Sequence, residues 1–400
     1  MVYSLMFALF LLAAAQSSQS QYVTHIANVT TLAGATAGLT DGSSKVAKFN
    51  VPYAVALDRF FNLYVADTSN DRIRKVTPRG DVSTLAGSPG YKDGTGTLAQ
   101  FRSPRGVAVD MNDFIYVADY HNHRIRKVSP LGVVTTFVGS GVSSFADGLG
   151  TLAEFSGPTG ISVTRSSPIN VYVYIGDYYN NCIRVVSPAG SVSTLAGTCK
   201  AVGAFADGTG EDARFYRPTG VALNANNKFL YVAEYGNSIR KVATDNGATT
   251  SFVGSTQSFY ADGQGTDARF RNPTGVAVDL LGNVYIADRG NNRIRLASPT
   301  GMVSTLAGNG NFDPFSDGIG TQVSFDSPFG LAVDPRGVVY VADTDNSRIR
   351  KVNVSFTCPA GVACALTDTP LSPCPLGFFC PKGSIPIPCP VVRFCVFSSI

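Results

Sequence analysis

The groups that could do covalent or metal chemistry are few. Histidine occurs three times, at His25, His121 and His123, and the last two share one loop. A zinc site built across several elements needs neutral imidazoles from more than one of them. His-x-His offers two ligands, with no third histidine to face them. No G-x-S-x-G elbow, phosphate-binding loop or dinucleotide fingerprint is present. Repeated charge is abundant instead. An acid at Asp67, Asp119, Asp177, Glu234, Asp288 or Asp343 is followed closely by an arginine at Arg74, Arg126, Arg184, Arg240, Arg295 or Arg350. A carboxylate ending a strand can bond the backbone of the following turn, and an arginine can pair with such a carboxylate. A single ligand site would not need six copies, so the pairs are expected to hold structure.

Two further repeated sets receive the same reading. Asp-Gly steps at Asp41, Asp93, Asp147, Asp207, Asp262 and Asp317 suggest tight turns. They lack the alternating oxygen ligands ending in Glu that an EF-hand calcium loop uses. Asp58, Asp110, Asn224, Asp279 and Asp334 have the side-chain types of a lactonase channel, yet they too follow the repeat. No catalytic residue, metal or cofactor is assigned. The unrepeated residues are Tyr120, His121, Asn122 and His123, then Tyr178 and Tyr179, then Tyr235. They fall at corresponding places in three consecutive units. Tyrosine is favoured in interfaces, so Tyr120, His121, His123, Tyr178, Tyr179 and Tyr235 form the candidate binding patch, for an extracellular protein or a glycan.

The elements that must carry these residues are strands. A phrase F-x-x-P-x-G-V-A-V-D recurs at Pro52, Pro104, Pro158, Pro218, Pro273 and Pro328, a unit of roughly 55 residues. After each proline comes an alternating strand such as Gly106 to Asp110. A second reads Y-V-A-D, a third R-I-R-K-V and a fourth V-S-T-L-A-G. Short β-rich runs punctuated by Gly, Pro and Asn at a fixed period imply a radial all-β repeat. Thr30 to Gly34 is a fourth strand that precedes any first strand, and the last unit stops after its third. The two ends therefore complete one another. The expected fold is all-β: a six-bladed β-propeller over 22–354, closed by an N-terminal fourth strand. Loops between blades and between second and third strands should share one face, where function is expected.

The sequence P-x-G-V-A-V-D, Y-V-A-D, N-x-R-I-R-K-V resembles the NHL repeat. Blade three departs from it at Thr164, Gly176 and Cys182, and blade four at Asn224, Glu234 and a one-residue deletion before Ser238. Among propellers similar to this one are zinc-dependent peptide-amidating lyases and calcium-dependent lactonases. The resemblance therefore carries a metal-dependent lyase or lactonase as the alternative to a binding module.

Residues 1–15 form an apolar run ending Ala13-Ala14-Ala15, which reads as a signal peptide. The run is too short to span a bilayer, and nothing later is long and apolar enough. A secreted monomer without a membrane span is expected. Sequons at Asn28 and Asn353 suit glycosylation in that compartment. Cys182 and Cys199 occur in one blade alone and are expected to form a disulfide. Six more cysteines, Cys358, Cys364, Cys374, Cys380, Cys389 and Cys395, lie in a tail spanning 358–400. They read as a disulfide framework of open pairing. Their C-P-x-G-x-x-C spacing resembles ephrin-receptor-like modules. The net charge of +4, from 32 basic and 28 acidic residues, is too small and dispersed to indicate a nucleic-acid partner.

Overall fold

A computed structural model describes residues 24–357 apart from Asp313, with the two short strands Phe378–Phe379 and Ile387–Pro388. The expected signal peptide and the six tail cysteines lie outside the described residues. The chain divides into two units, Ala27–Val354 and Met1–Ile26 with Ser355–Ile400. The first is six antiparallel sheets.

Blade two shows the pattern. Pro104–Val109 is innermost, then come Ile115–Asp119, Arg124–Val128 and Val133–Val138, and Gly94–Thr95 pads the outer edge. In blade one the padding strand shrinks to a single bridge between Gly42 and Val82. The sixth blade is assembled from both termini, with Thr24–Ala33 lying between Gly318–Ile319 and Arg348–Thr357. Thr31 donates to Asp317 through its N–H at 2.9 Å, and Arg348 donates to the Gly34 carbonyl at 2.7 Å. The ring thus closes as the repeat order predicts, and the first and last blades are joined rather than left as the open ends of an array.

Valine, isoleucine and alanine on the strands fill the spaces between sheets, and one phenylalanine per unit anchors each space. Phe49, Phe101, Phe155, Phe215, Phe270 and Phe325 are all buried. They are the first residue of the F-x-x-P phrase. Above each sits the repeated arginine, for example the Arg126 guanidinium 5.3 Å from the Phe101 ring centre. Its Nη1 donates to Asp119 at 2.8 Å and to the Gln100 carbonyl at 2.9 Å. Its Nη2 donates to Asp93 at 2.6 Å and to the Lys92 carbonyl at 3.0 Å.

This arrangement corrects two details of the sequence reading. The acid ending the second strand does not bond the turn that follows through its backbone. Asp119 accepts from the backbone N–H of Arg102, which lies before the first strand. The Asp-Gly acid is more than a turn former, because it is the second carboxylate on the buried arginine and also accepts from the Thr136 N–H at 3.0 Å. A guanidinium with its donors in two planar pairs can bridge these partners at once, so the repeated charges lash each inter-blade loop to the blade that follows.

Five blades carry glycine in P-x-G where blade one has Ala54, and crowding at the axis explains the preference. A Cβ on Gly106 would lie 2.0 Å from the Thr159 carbonyl oxygen, and one on Gly220 would lie 2.3 Å from that of Thr274.

Candidate functional site

Two positions per blade surround the mouth of the central channel. The middle residue of P-x-G, or of Pro52-Tyr53-Ala54 in blade one, is Tyr53, Arg105, Thr159, Thr219, Thr274 or Phe329. The residue after the strand-ending acid is Thr68, Tyr120, Tyr178, Tyr235, Arg289 or Thr344. The two positions are complementary in five blades. Where one holds threonine, the other holds a large side chain, and the threonine hydroxyl ties its blade to the next. Thr68 donates to the Pro104 carbonyl at 2.6 Å and Thr344 to Pro52 at 2.7 Å. Thr159, Thr219 and Thr274 reach Pro218, Pro273 and Pro328 at 3.1, 3.3 and 3.3 Å.

Blade two breaks the rule by carrying two large residues, Arg105 and Tyr120. Its seam to blade three has no threonine bridge and is built from other groups. Tyr120 Oη donates to Tyr179 Oη at 2.8 Å, and the Gly157 N–H donates to His123 Nδ1 at 3.1 Å. Glycine at 157 makes this possible: a Cβ there would sit 2.8 Å from both the Tyr120 and Tyr179 rings. The corresponding residues in the other blades are Val51, Ser103, Arg217, Asn272 and Ser327, all held at positive φ despite their side chains.

The candidate patch therefore gathers around one seam. Tyr120 and His121 have ring centres 4.7 Å apart, Tyr120 and Tyr179 6.1 Å, and Tyr178 and Tyr179 4.9 Å. Their exposures differ. Tyr120 is only 3% exposed and serves as support, whereas Tyr179 is 52% exposed and His121 is also open. Tyr178 and His123 are half-buried. Tyr235 is half-buried too, with its N–H donating to the Arg217 carbonyl at 3.3 Å. Burial pushes the Tyr120 and Tyr178 hydroxyls up, so both stay protonated. Burial, then Arg105 and Arg102, hold His121 below the ordinary histidine value. Burial, then His121, Arg124 and Arg102, do the same for His123.

Sequence reasoning missed the cations and rings contributed by the repeat itself. The Arg105 guanidinium lies 3.5 Å from the Tyr120 ring centre and 4.9 Å from that of Tyr53. Tyr53 packs on Phe329 at 4.0 Å across the closing seam. Arg217 lies 5.5 Å from both Tyr178 and Tyr216, and Tyr216 is 38% exposed. The variable middle letter of P-x-G was the available signal.

At the opposite end the channel widens into a cavity of about 410 Å³. The carboxylates expected there by type are engaged in turns. Asp58 accepts from the N–H groups of Phe60 and Asn62, and Asp110 from those of Asn112 and Phe114. Arg165 crosses this end to donate to the carbonyls of Leu57 at 2.6 Å and Val109 at 3.0 Å, bracing three blades. Among the described residues no three of His, Cys, Asp and Glu cluster as a metal would need. Cys182 and Cys199 are bonded, with Cα atoms 5.2 Å apart. Asn28 is exposed and Asn353 half-buried.

Comparison with known proteins recognises the repeat in three of the six blades. Residues 101–128, 270–295 and 325–352 match the NHL repeat. NHL repeat-containing protein 2 of Bos taurus is 31% identical over 348 residues, covering 76% of this chain and 46% of that protein. The chain thus spans less than half the length of this relative. An auxiliary nutrient binding protein of Bacteroides thetaiotaomicron superposes with a TM-score of 0.63 at 17% identity, covering 83% of this chain and 77% of the other. A gluconolactonase of Xanthomonas campestris does so with a TM-score of 0.55 at 14% identity, covering 82% and 90%. At such identities the likeness concerns fold alone. Six equivalent sheets, a ring closed by both termini and the repeat match together make the body of this chain a six-bladed β-propeller that carries NHL repeats.

Proposed function

We propose that the protein is a secreted recognition module whose ligand, an extracellular protein or a glycan, docks on the face around the blade two to blade four end of the channel mouth. The observation carrying this reading is the break in the ring's own rule. Five blades pair a threonine with a large side chain, whereas blade two holds Arg105 and Tyr120, and Tyr178, Tyr179, Tyr216 and Arg217 extend the cluster over the next two blades. Features shared by all blades maintain the ring, so a group confined to neighbouring blades is free for recognition. Exposed aromatic rings beside arginine are the side chains that dominate binding hot spots.

The test is binding of the immobilised propeller to arrays of glycans and extracellular proteins, repeated with Tyr179→Ala and Tyr216→Ala. Tyr216→Ala should leave the melting temperature in place, whereas Tyr179→Ala also removes the acceptor of the Tyr120 hydroxyl and should lower it slightly. Ligand affinity should fall about tenfold or more, as expected when a hot-spot ring worth about 2 kcal/mol is removed. Ligands captured equally by wild type and both variants would place recognition elsewhere.

A further inference from the structure

Arg105 differs from the other arginines at the heart of the ring. The six repeated arginines each have two carboxylates and two carbonyls. Arg105 has rings on its faces and nothing at its edges. Its Nε is buried without a partner, as is that of each repeated arginine, and the difference lies at the terminal nitrogens: among the described residues the Arg105 guanidinium makes no ion pair and no hydrogen bond. It lines a neck of about 60 Å³ at the channel mouth, alongside Thr159, Thr219, Thr274 and Phe329. Each of those threonine hydroxyls already donates to a carbonyl of the next blade. Arg105 is thus the one side-chain donor of the neck left without an acceptor, and unmade hydrogen bonds of a partly buried cation are costly.

We propose that Arg105 is the anchor of a carboxylate-binding subsite, and that the carboxylate is carried by an acidic sugar of the uronic acid type. This deepens the recognition reading above and rests on it. A volume of about 60 Å³ is room for roughly two waters, enough for a carboxylate but not for a pyranose ring. The ring therefore remains at the rim, where Tyr53 and Phe329 pack together and Tyr179 is exposed. Flat aromatic faces accept the C–H face of a pyranose, and the edge of a guanidinium takes a carboxylate through two parallel N–H donors. A peptide fits this mouth less well. The inner strand of each blade is the edge of its sheet, but these edges crowd one another around the axis, with Gly106 lying against the Thr159 carbonyl and Gly160 against that of Thr219, so an extended chain has no room to join one.

The test uses a disaccharide ending in glucuronate, its methyl ester, and a pair of short peptides ending in a free carboxylate or an amide. Calorimetry on the wild-type propeller should show the acid binding about tenfold more tightly than the ester, the ratio that one charge-assisted contact supports. Arg105→Gln should erase that ratio, and Arg105→Lys should keep part of it by retaining the charge without the fork. Equal binding of acid and ester to wild type overturns the proposal, and needs no variant to fold. So does a ratio that survives in Arg105→Gln, or capture of the carboxylate peptide over its amide with no response to the acidic sugar. Neutral glycans bound through Tyr179 without regard to Arg105 would leave the broader recognition reading standing while removing this one.

Discussion

His123 performs with an imidazole what asparagine performs in the next three blades. Its Nδ1 accepts the Gly157 N–H, whereas Asn181, Asn237 and Asn292 accept the N–H groups of Arg217, Asn272 and Ser327 at 2.9 Å each. An imidazole can accept at Nδ1 only when that nitrogen is unprotonated. Burial, His121, Arg124 and Arg102 all disfavour its charged form. Its folded value therefore lies below the unfolded value of about 6.5. The stability it contributes is complete above that unfolded value and is lost as pH falls through the lower folded one. One neutral hydrogen bond is worth about 1 kcal/mol, so the melting temperature should drop by about 2 °C more in wild type than in His123→Asn between neutral pH and pH 5. Identical pH profiles for the two proteins would deny the bond this role. At this scale the repeated Arg–Asp pairs were legible from periodicity alone. The second partner was not, because nothing in an Asp-Gly dipeptide says that its carboxylate reaches an arginine some thirty residues later, as Asp41 reaches Arg74 at 2.6 Å.

Blade four shows how an element absorbs a missing residue. From acid to arginine the other blades run Asp67 to Arg74, whereas here Glu234 leads to Arg240 through a turn one residue shorter. The asparagine that donates to the acid in the other blades, as Asn70 does to Asp67 at 2.8 Å, has no counterpart here. Ser238 takes its place, donating to Glu234 at 2.7 Å. The extra methylene of Glu234 lets its carboxylate still accept from the Tyr216 N–H at 2.9 Å and from Arg240 at 3.3 Å. Glu234→Asp should therefore leave these donors short of an acceptor inside a buried cluster, at about 3 kcal/mol as for other broken buried pairs, measured by urea unfolding. Pairing that substitution with an asparagine inserted between Gly236 and Asn237 rebuilds the arrangement of the other blades and should recover most of the loss. An Asp variant as stable as wild type would mean the cluster tolerates the gap. Both departures could be read in the sequence, but their compensation could not, since it depends on where two side chains meet across a turn. The Thr-for-large exchange around the mouth was hidden likewise: one member lies on the first strand and the other in the turn after the second, and the two become neighbours only when the sheet is formed.

For the whole molecule, closure decides whether six blades behave as one body. The permuted order of strands was legible because a repeat that begins with its fourth strand and ends with its third has one way to leave no edge. The strand Thr24–Ala33 supplies the fourth strand of blade six, its Val29 and Ala27 are buried in the core, and Thr31 holds Asp317, which in turn pairs with Arg350. Removing it strips a ladder from Arg348–Thr357 and uncovers apolar side chains at the seam with blade five. An exposed, flat strand edge is a template for association, and the buried Arg350 loses the support of one carboxylate's other partner. A chain lacking residues 1–34 should therefore melt at a lower temperature and over a wider range, and should elute as aggregates in gel filtration. Adding a synthetic peptide of residues 22–34 should return a monomer with a sharp transition, because the missing strand pairs without needing a covalent link. A truncated chain that stays monomeric and melts like the full one would show that the remaining three strands of blade six are held from the channel side alone, and that the velcro at the termini is dispensable to the ring.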